Sequence, residues 1–361
     1  MLTIIHFYCS FCCILYSYIF NLINLFMKTS LVITTINKPN QNIRNFSKNC
    51  KSKKWDFIVI GDSKSPKNYN LDYGNFFNIN NQKKLKFKFA KICPDNHYAR
   101  KNIGYLIAIK DQNDIIIETD DDNYPYQDFF FDKKEFHQTK IIKNKNQWIN
   151  IYDFFNKKKS ICWPRGIPLD EIHNIKLKFG KKSVSSFLLQ QGVCEGNPDV
   201  DAIFRLLNEK ININFKKKLK INIKKSLVTL NSQNTIWFKK IFPLLYLPVT
   251  CTMRCTDIWR GLVVQKILNN DNKDILFFGT TMKQFRNDHS LMSDFEQEVP
   301  MYLLNKKINK ILFNLKLPKG EMNYLNNLNT CYRELIKNNI ISKNEIYFLN
   351  AWTNDYKKIT K

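Results

Sequence analysis

Short apolar runs alternate with polar stretches between residues 30 and 120, and their spacing predicts strands and helices in turn. Residues 31–36 and 57–60 are apolar runs rich in β-branched side chains, which are typical of strands buried on both faces. Residues 40–52 lie between them and place apolar side chains at positions i, i+3 and i+7, the spacing of one helix face. A strand, a helix and a strand in this order indicate a βαβ unit. We therefore expect an α/β fold with a parallel sheet that binds ligands at the carboxyl ends of its strands.

The third predicted strand, residues 115–117, runs directly into a group of acidic residues. That group is Glu118, Asp120, Asp121 and Asp122. Carboxylates this close repel one another and cannot all stay ionised without a compensating cation. In extended chain Asp120 and Asp122 project to the same side, where both can bind one ion, and carboxylate oxygens suit Mg²⁺ or Mn²⁺. The alternative is an acidic turn, and the acidic run alone does not decide between the two.

Polar and basic residues stand at the edge where these strands are predicted to end. Thr34, Thr35 and Asp62 are placed to hold a nucleotide base or ribose, or they serve only as turn residues. Arg100 and Lys101 begin a predicted amphipathic helix that would direct both cations at the acidic group. There they can bind a diphosphate or pair with the aspartates themselves. No Gly-x-Gly-x-x-Gly follows the first strand, which disfavours an NAD-type site.

The second half of the chain has weaker periodicity, with one further informative block. Residues 246–249 predict a short strand, and the helix predicted after it has Thr256 as its N-cap. Asp257 falls in the first turn of that helix, and Arg260 lies one turn later on the same side. Asp257 is well placed as a general base, or only as a first-turn acid that stabilises the helix dipole. Asp199 is likewise a functional acid or a helix cap.

Composition and charge narrow the function classes. A chain of 361 residues with 44% hydrophobic and 14% aromatic residues is that of a folded protein with a large core. The net charge of +26 favours anionic partners, but the lysine runs are scattered and do not alternate with aromatics. A solvated surface is therefore favoured over a nucleic-acid site. The ten cysteines lack metal-site spacing outside the first 26 residues, which disfavours zinc and indicates reduced thiols.

Residues 1–26 form an apolar leader without a charged residue, long enough to span a bilayer. Two interpretations are open: a membrane anchor, or a wrongly assigned start with Met27 as the initiator. Positive charge begins at Lys28, so an anchor would keep the rest of the protein in the cytosol. We therefore expect the protein in the cytoplasm or on the cytosolic face of a membrane.

Seven short stretches, taken in order, resemble the STELLO glycosyltransferase-like family. They are residues 60–66 (IGDSKSP), 98–109 (YARKNIGYLIAI), 118–122 (ETDDD), 163–166 (WPRG), 190–192 (QQG), 198–201 (PDVD) and 257–261 (DIWRG). Each stretch is short, but the ordered set is specific and spans about residues 30–300. The acidic group is also similar to the Asp-Asp-Asp of reversibly glycosylated polypeptides.

The resemblance implies a GT-A-type fold, a Rossmann-like, mostly parallel mixed sheet flanked by helices. It also implies a nucleotide-sugar donor and a divalent ion, Mn²⁺ or Mg²⁺, between the acidic group and the diphosphate. By position, Asp120 and Asp122 match the metal ligands, with Asp121 as the alternative partner. The family pattern of acid-x-Asp-Asp would instead map to Glu118, Asp120 and Asp121. The Golgi location of the plant members would follow only by analogy.

These observations predict a metal-dependent glycosyltransferase that acts on a glycan or another hydroxyl acceptor. Asp257 is the first choice for the general base, with Asp199 or Asp201 in its place, and Arg100 or Arg165 stabilises the departing diphosphate. The predicted site residues are Asp257, Arg260, Asp199 and Asp201 for catalysis; Thr34, Asp62, Arg100, Lys101, Arg165 and Gln191 for donor binding; and Asp120, Asp121 and Asp122 for the metal.

Two other functions fit the same fold. One is a sugar-nucleotide mutase or nucleotidyltransferase, and the other is a non-catalytic scaffold for glycan synthesis. We expect residues 1–26 as a leader, 27–290 as the catalytic domain and 291–361 as a helical C-terminal appendage.

Overall fold

A mixed eleven-stranded sheet runs through the protein. The computed structural model describes residues 27–361, apart from 143, 145–146, 159, 174–178, 209 and 288–289. The strands are β1 (Thr29–Thr35), β2 (Asp56–Gly61), β3 (Asn75–Phe77), β4 (Ile115–Asp120), β5 (Asn123–Pro125), β6 (Phe136–Ile142), β7 (Ser183–Ser186), β8 (Leu189–Gly196), β9 (Lys220–Ile223), β10 (Thr235–Phe238) and β11 (Ile275–Gln284).

The strand order is β3-β2-β1-β4-β10-β8-β11-β9-β6-β7, and β5 pairs with β11. Strands β3, β2, β1 and β4 are mutually parallel, and β10 runs antiparallel between β4 and β8. Strand β11 is again parallel to β8. Most strands therefore point the same way, and the expectation of a mostly parallel mixed sheet is confirmed.

Helices cover the sheet and form the C-terminal end of the chain. They are α1 (Gln41–Lys53), α2 (Ile79–Lys84), α3 (Lys88–Ile92), α4 (Lys101–Lys110), α5 (Tyr152–Phe155), α6 (Ala202–Leu207), α7 (Thr256–Asn270), α8 (Leu291–Asn314), α9 (Tyr324–Lys337) and α10 (Glu345–Ile359). Short 3₁₀ turns lie at Tyr98–Arg100, Gln127–Phe130, Leu169–Glu171, Lys239–Leu245 and Glu321–Asn323. The succession β1–α1–β2, with parallel strands, confirms the predicted βαβ unit.

Helix α4 lies directly on the parallel strands and fixes the site above them. A Cβ at Gly104 would come within 2.5 Å of Val32 in β1, so only glycine allows this close approach. Nine of its ten residues are buried, including the polar Lys101 and Asn102. The helix start is therefore held rigidly against the carboxyl ends of β1 and β4.

Two local predictions were wrong. Residues 246–249 are not a strand, because side chains bind their backbone: Asn102 contacts both polar groups of Leu247, and Glu345 accepts from Val249. Helix α7 has Cys255 rather than Thr256 at its N-cap position, and the Thr256 hydroxyl donates back to the Thr252 carbonyl.

The C-terminal helices dock onto the sheet domain through buried carboxylates. Asp355 of α10 accepts from the backbone N–H groups of Lys88 and Phe89, the first residues of α3. Glu345, also in α10, is fully buried. It accepts from the Tyr246 hydroxyl, from the backbone N–H groups of Val249 and Thr250, and from the Thr250 hydroxyl.

Replacing Glu345 by alanine should therefore destabilise the protein strongly. The change would leave two buried backbone N–H groups and a buried tyrosine hydroxyl without an acceptor, at a cost of about 3 kcal/mol or more. Glu296→Ala on an exposed position of α8 is the matched control and should change the free energy of unfolding by less than about 0.5 kcal/mol. Urea denaturation measures both. An equal loss of the free energy of unfolding in the two variants would contradict the role of Glu345 in docking the C-terminal helices onto the sheet domain.

The leader predicted over residues 1–26 lies outside the described residues, so both interpretations of it stay open. Within the part of the chain that the structure describes, no helix is both long and apolar enough to cross a membrane.

Candidate active site

A cavity of about 610 Å³ opens at the carboxyl ends of β1, β2 and β4. Its wall contains Thr34, Thr35, Ile36, Asn37, Ile60, Gly61, Asp62, Lys64, Asn96, His97, Tyr98, Arg100, Asp120, Asp121, Asp122, Arg165, Asp199, Gln233, Met253, Arg254, Asp257, Gln284, Arg286, Asn287, Asp294 and Gln297. The predicted edge of the sheet and the block around Asp257 thus meet in one place.

Asp121 turns away from its neighbours to hold the loop after β1. Its Oδ2 accepts from the Thr35 hydroxyl at 2.5 Å and from Asn37 Nδ2 at 2.9 Å. Its backbone carbonyl accepts from Asn40 and Asn42. Asp121 is 8% exposed, and these hydrogen bonds occupy its side chain and its carbonyl. It therefore acts mainly in shaping the cavity.

Asp120, the last residue of β4, pairs with Lys101 at the start of α4. Its Oδ1 accepts from Lys101 Nζ at 2.8 Å and from the Tyr98 hydroxyl at 2.9 Å. Burial raises the pKa of Asp120 even though Lys101 opposes the shift. Lys101 thus contacts the acidic group directly, one of the two alternatives that its position in the sequence left open.

Asp122 carries an unpartnered carboxylate oxygen. Its Oδ2 accepts from Gln284 Nε2 at 3.0 Å, whereas its Oδ1 is buried with no hydrogen-bond partner among the described residues. Burial, and then the charge of Asp120, raises the pKa of Asp122 to about 7. A buried carboxylate of this kind is costly unless a cation or proton joins it.

Glu118 lies on the same face of β4 as Asp120, but further from the cavity, where α4 and α7 contact it. It is fully buried and pairs with Arg260, NH2 to Oε1 at 2.7 Å. It also accepts from Trp237 Nε1 at 2.8 Å and from the Tyr105 hydroxyl. Glu118 and Arg260 both lie outside the cavity wall. Their ion pair joins α7 to β4.

The residues present fit a divalent cation through Asp120 and Asp122. The described residues contain no group of three or more His, Cys, Asp or Glu side chains arranged to hold an ion alone. Mg²⁺ and Mn²⁺ sites that also bind phosphates need only one or two carboxylates, because phosphate and water supply the other oxygens. The unpartnered Oδ1 of Asp122 offers a ligand of this kind.

Arg165 directs all five of its N–H groups at protein acceptors. Nε and NH2 bind the two oxygens of Asp199 at 2.8 and 2.9 Å, and NH1 and NH2 bind those of Asp257 at 3.0 and 2.9 Å. The fifth N–H donates to the Arg254 carbonyl. Since no donor is left over, Arg165 positions two carboxylates and has nothing to offer a diphosphate.

A glycine lets the chain present Arg165 at this point. Gly166 has φ +91°, a left-handed conformation, and a Cβ there would lie 2.5 Å from Ile258 Cγ2 of α7. The Arg165 backbone N–H donates to the Asp199 carbonyl at 2.9 Å, which ties the two loops together.

Asp199 and Asp257 are the two carboxylates that Arg165 joins, and both line the cavity. Burial alone would raise the pKa of Asp199, but Arg165 and Arg254 hold it well below its usual range. Asp257 also accepts from the Ser232 hydroxyl at 3.3 Å. Asp199 is therefore charged, and Arg165 fixes both carboxylates in place.

Asp201 lies apart from this pair and caps helix α6. Its Oδ1 accepts from the Phe204 backbone N–H at 2.7 Å, and its Oδ2 from Trp163 Nε1 at 2.7 Å. Asp201 is outside the cavity wall, and burial raises its pKa to about 6. The cap considered for Asp199 thus belongs to Asp201, two residues later.

Of the predicted donor-binding residues, Thr34 and Asp62 line the cavity. Thr34 lies beside Asp120 in the β1–β4 register. Asp62 accepts from the backbone N–H groups of Ser63, Asn96 and His97 at 2.6, 2.7 and 3.0 Å, which fixes the loop beyond β2.

Arg100 and Gln191 act mainly inside the protein. Arg100 is 1% exposed at its side chain and binds Gln82 and the carbonyl of Cys93, although it also borders the cavity. Gln191 lies outside the cavity wall and exchanges two hydrogen bonds with Asn231, which in turn donates to Asp199 at 3.0 Å.

Sequence reasoning missed the basic residues Arg254 and Arg286 and the contribution of α8. The apolar run at residues 275–278 predicts a strand over these four residues, whereas β11 continues past Gly279 and the irregular pairing before Met282 to Gln284, and Arg286 follows it. Had the strand been extended to its true end at Gln284, the rule that ligands bind at carboxyl ends would have indicated Arg286. Asp294 and Gln297 place α8 in the cavity wall, although the predicted boundary assigned residues 291–361 to an appendage.

Comparisons with known proteins confirm the predicted resemblance. Residues 254–361 match the family model described as STELLO glycosyltransferases, a range that includes the C-terminal helices. Over 262 residues the chain is 28% identical to "Probable glycosyltransferase STELLO2" and 27% identical to "Probable glycosyltransferase STELLO1", both of Arabidopsis thaliana. Each alignment covers 66% of this chain and 33% of the relative, so the chain spans about a third of the length of the curated relatives it matches.

Proposed function

We propose that the protein is a metal-dependent glycosyltransferase that moves a sugar from a nucleoside-diphosphate donor to an acceptor hydroxyl. The observation that carries this proposal is the unpartnered carboxylate oxygen of Asp122 in the same cavity as the ends of β1 and β2. The similarity to the two probable glycosyltransferases supports it. We infer the reaction class from these two lines of support together.

The donor would bind across the ends of the parallel strands. Thr34, Asn37 and Asp62 offer polar groups for its base and ribose, since ligands of open α/β sheets bind at this edge. Asp120 and Asp122 would hold a divalent ion, which when bound neutralises charge on the diphosphate. Lys101 and Tyr98 orient Asp120 toward that position.

The acceptor would bind beside the two carboxylates that Arg165 joins. Asp257 is the proposed base: as the acceptor oxygen bonds to the anomeric carbon and the bond to the diphosphate breaks, Asp257 accepts the hydroxyl proton. Its weakest hydrogen bond, 3.3 Å from the Ser232 hydroxyl, is the one that an acceptor hydroxyl would displace. Arg165 keeps the carboxylate oriented throughout.

A thermal-shift screen of the full chain tests the proposal. A nucleotide-sugar should raise the melting temperature only when Mn²⁺ is present, because binding to the folded state alone stabilises it. A nucleoside without phosphates, such as uridine, should have no such metal-dependent effect. If no member of a complete nucleotide-sugar panel binds with Mn²⁺, the proposal is wrong.

Product analysis with the donor that binds then separates the reaction classes. A transferase releases nucleoside diphosphate in proportion to added acceptor, whereas a mutase releases none and a nucleotidyltransferase releases pyrophosphate or consumes it. A scaffold would bind donor without turnover.

A further inference from the structure

The arginines in the cavity wall differ in how many hydrogen-bond donors they have left. All five N–H groups of Arg165 are bound by protein acceptors. Arg100 directs its nitrogens at Gln82, at backbone carbonyls and at the Asp95 carboxylate. Arg165 therefore has no N–H left for a ligand, and the Arg100 side chain is 1% exposed with a protein acceptor at each of its three nitrogens.

Arg254 and Arg286, the arginine pair, retain such donors. Arg254 binds Glu298 through Nε at 2.9 Å and NH2 at 2.6 Å, and its NH1 makes no hydrogen bond to a described residue. Arg286 binds Asp294 through NH2. Its side chain is 9% exposed, and its buried Nε has no partner among the described residues. An unpartnered buried N–H is costly, and an anionic ligand would give it the acceptor that it lacks.

A third buried guanidinium, that of Arg205, also has an unpartnered nitrogen among the described residues. Arg205 is 4% exposed and binds only neutral oxygens, the Asn197 side chain and the Pro198 carbonyl. Its Nε is also buried without a partner among the described residues. Burial, and then the charge of Arg286, lowers the pKa of Arg205 to about 10, while the charge of Asp199 opposes this shift.

The contacts of Arg254 place the arginine pair beside the proposed acceptor position. Arg286 follows β11, which β4, β10 and β8 separate from β1, where the nucleoside would bind, although Gln284 at the end of β11 also binds Asp122. Arg254 NH2 is 4.0 Å from Asp199 Oδ1, and Asp199 shares Arg165 with Asp257. Arg254 therefore lies beside Asp199, the carboxylate that Arg165 joins to the proposed base Asp257.

We propose that Arg254 and Arg286 bind an oxyanion on the acceptor, a carboxylate or a phosphate group, so that the acceptor is an anionic sugar or glycan. The inference rests on the proposed function for the placement of the acceptor. The paired N–H groups of a guanidinium match the two oxygens of a carboxylate or phosphate, and a neutral sugar cannot replace that interaction.

Saturation-transfer difference NMR on the full chain tests the inference with three probes: glucuronate, glucose 6-phosphate and neutral glucose. We expect saturable binding of at least one anionic probe and a tenfold or greater loss of its affinity in Arg286→Gln. Arg286→Lys keeps the positive charge but not the paired N–H groups of the guanidinium. Its affinity for the anionic probe should lie between the affinities of the parent and of Arg286→Gln. Arg333→Gln, an exposed arginine on α9, is the matched control and should bind as the parent does. The two anionic probes distinguish a carboxylate from a phosphate.

Binding of nucleoside diphosphates with Mn²⁺, measured by calorimetry on the same variants, separates the inference from the proposed function. We expect Arg286→Lys, which keeps the positive charge that acts on Asp122, to retain this affinity within twofold. A tenfold loss would overturn the inference and assign the arginine pair to the donor diphosphate. Donor binding in the parent with no binding of either anionic probe would also overturn it. Absence of nucleotide binding in the parent would instead count against the proposed function.

Discussion

Replacing Asp122 by asparagine should abolish the stabilisation of the protein by Mn²⁺ and, without metal, make the protein more stable at pH 8. The carboxylate has one buried, unpartnered oxygen and lies near Asp120, so its charge is costly in the empty cavity. Asparagine keeps the shape and the contact with Gln284 but removes the charge. Active sites commonly carry such a local loss of stability in exchange for ligand binding.

The sign of the pH dependence follows from the raised pKa. Asp122 has a pKa of about 7 in the folded protein against 3.8 for an ordinary aspartate, so the folded state binds the proton more tightly. The folded protein therefore keeps its full free energy of unfolding below about pH 4. It loses about 2–4 kcal/mol of this free energy as the pH rises through 7. The asparagine variant does not lose it, so the difference between the two proteins should be largest above pH 7 and small at pH 4.

Melting curves at pH 5 and pH 8, with and without Mn²⁺, measure both effects. The parent should gain stability from Mn²⁺ at pH 8, since binding to the folded state adds RT ln(1 + [L]/Kd). Asp132→Asn, at an aspartate whose side chain is 66% exposed, is the control and should follow the parent. Equal Mn²⁺ stabilisation of parent and Asp122→Asn would exclude Asp122 as a ligand.

Replacing Asp257 by asparagine should reduce sugar transfer by about 10²–10⁴-fold, the usual contribution of a positioned general base. The amide cannot accept the acceptor's proton. Donor binding with Mn²⁺ should persist, because it depends on Asp120, Asp122 and the ends of β1 and β2. A single-turnover rate at saturating donor separates the chemical step from binding.

The same variant weakens a buried ion pair, and breaking such a pair typically costs about 3–5 kcal/mol. Rates must therefore be compared below the melting temperature of the variant. Asp355→Asn is the matched control, since Asp355 is also a buried carboxylate with two backbone donors but caps α3 outside the cavity. It should lose stability and keep the transfer rate. Transfer by Asp257→Asn within threefold of the parent would contradict the base assignment.

The first half of the fold could be predicted because its signals are local. The apolar runs that form β1, β2 and β4 and the helical spacing of α1 each depend on neighbours only a few residues apart. The local pattern gave a wrong prediction at residues 246–249, because Pro248 and the side chains of Asn102 and Glu345 determine the backbone conformation there. Those partners lie about a hundred residues away in sequence, beyond any window of periodicity.

The sequence predicted which residues line the site more accurately than which of them pair with one another. Three of the four acids after the third strand line the cavity, and so do Asp199, Asp257 and Arg165. Which acid each cation would contact could not be foreseen, because Glu118 and Asp120 differ by two positions and therefore lie on the same face of β4. Their position along the strand separates them: Glu118 contacts side chains of α4 and α7 in the interior, whereas Asp120 ends the strand at the cavity.

The position of Glu298 in α8 has a consequence for motion. Glu298 binds Arg254, the backbone N–H of Ala202 at the start of α6, and the Tyr302 hydroxyl. Fraying of the first turns of α8 would therefore release a cavity arginine and a neighbouring helix together. Local opening of this helix and departure of a bound ligand are then one thermodynamic event, so residence time in the cavity is tied to the opening rate of the C-terminal region.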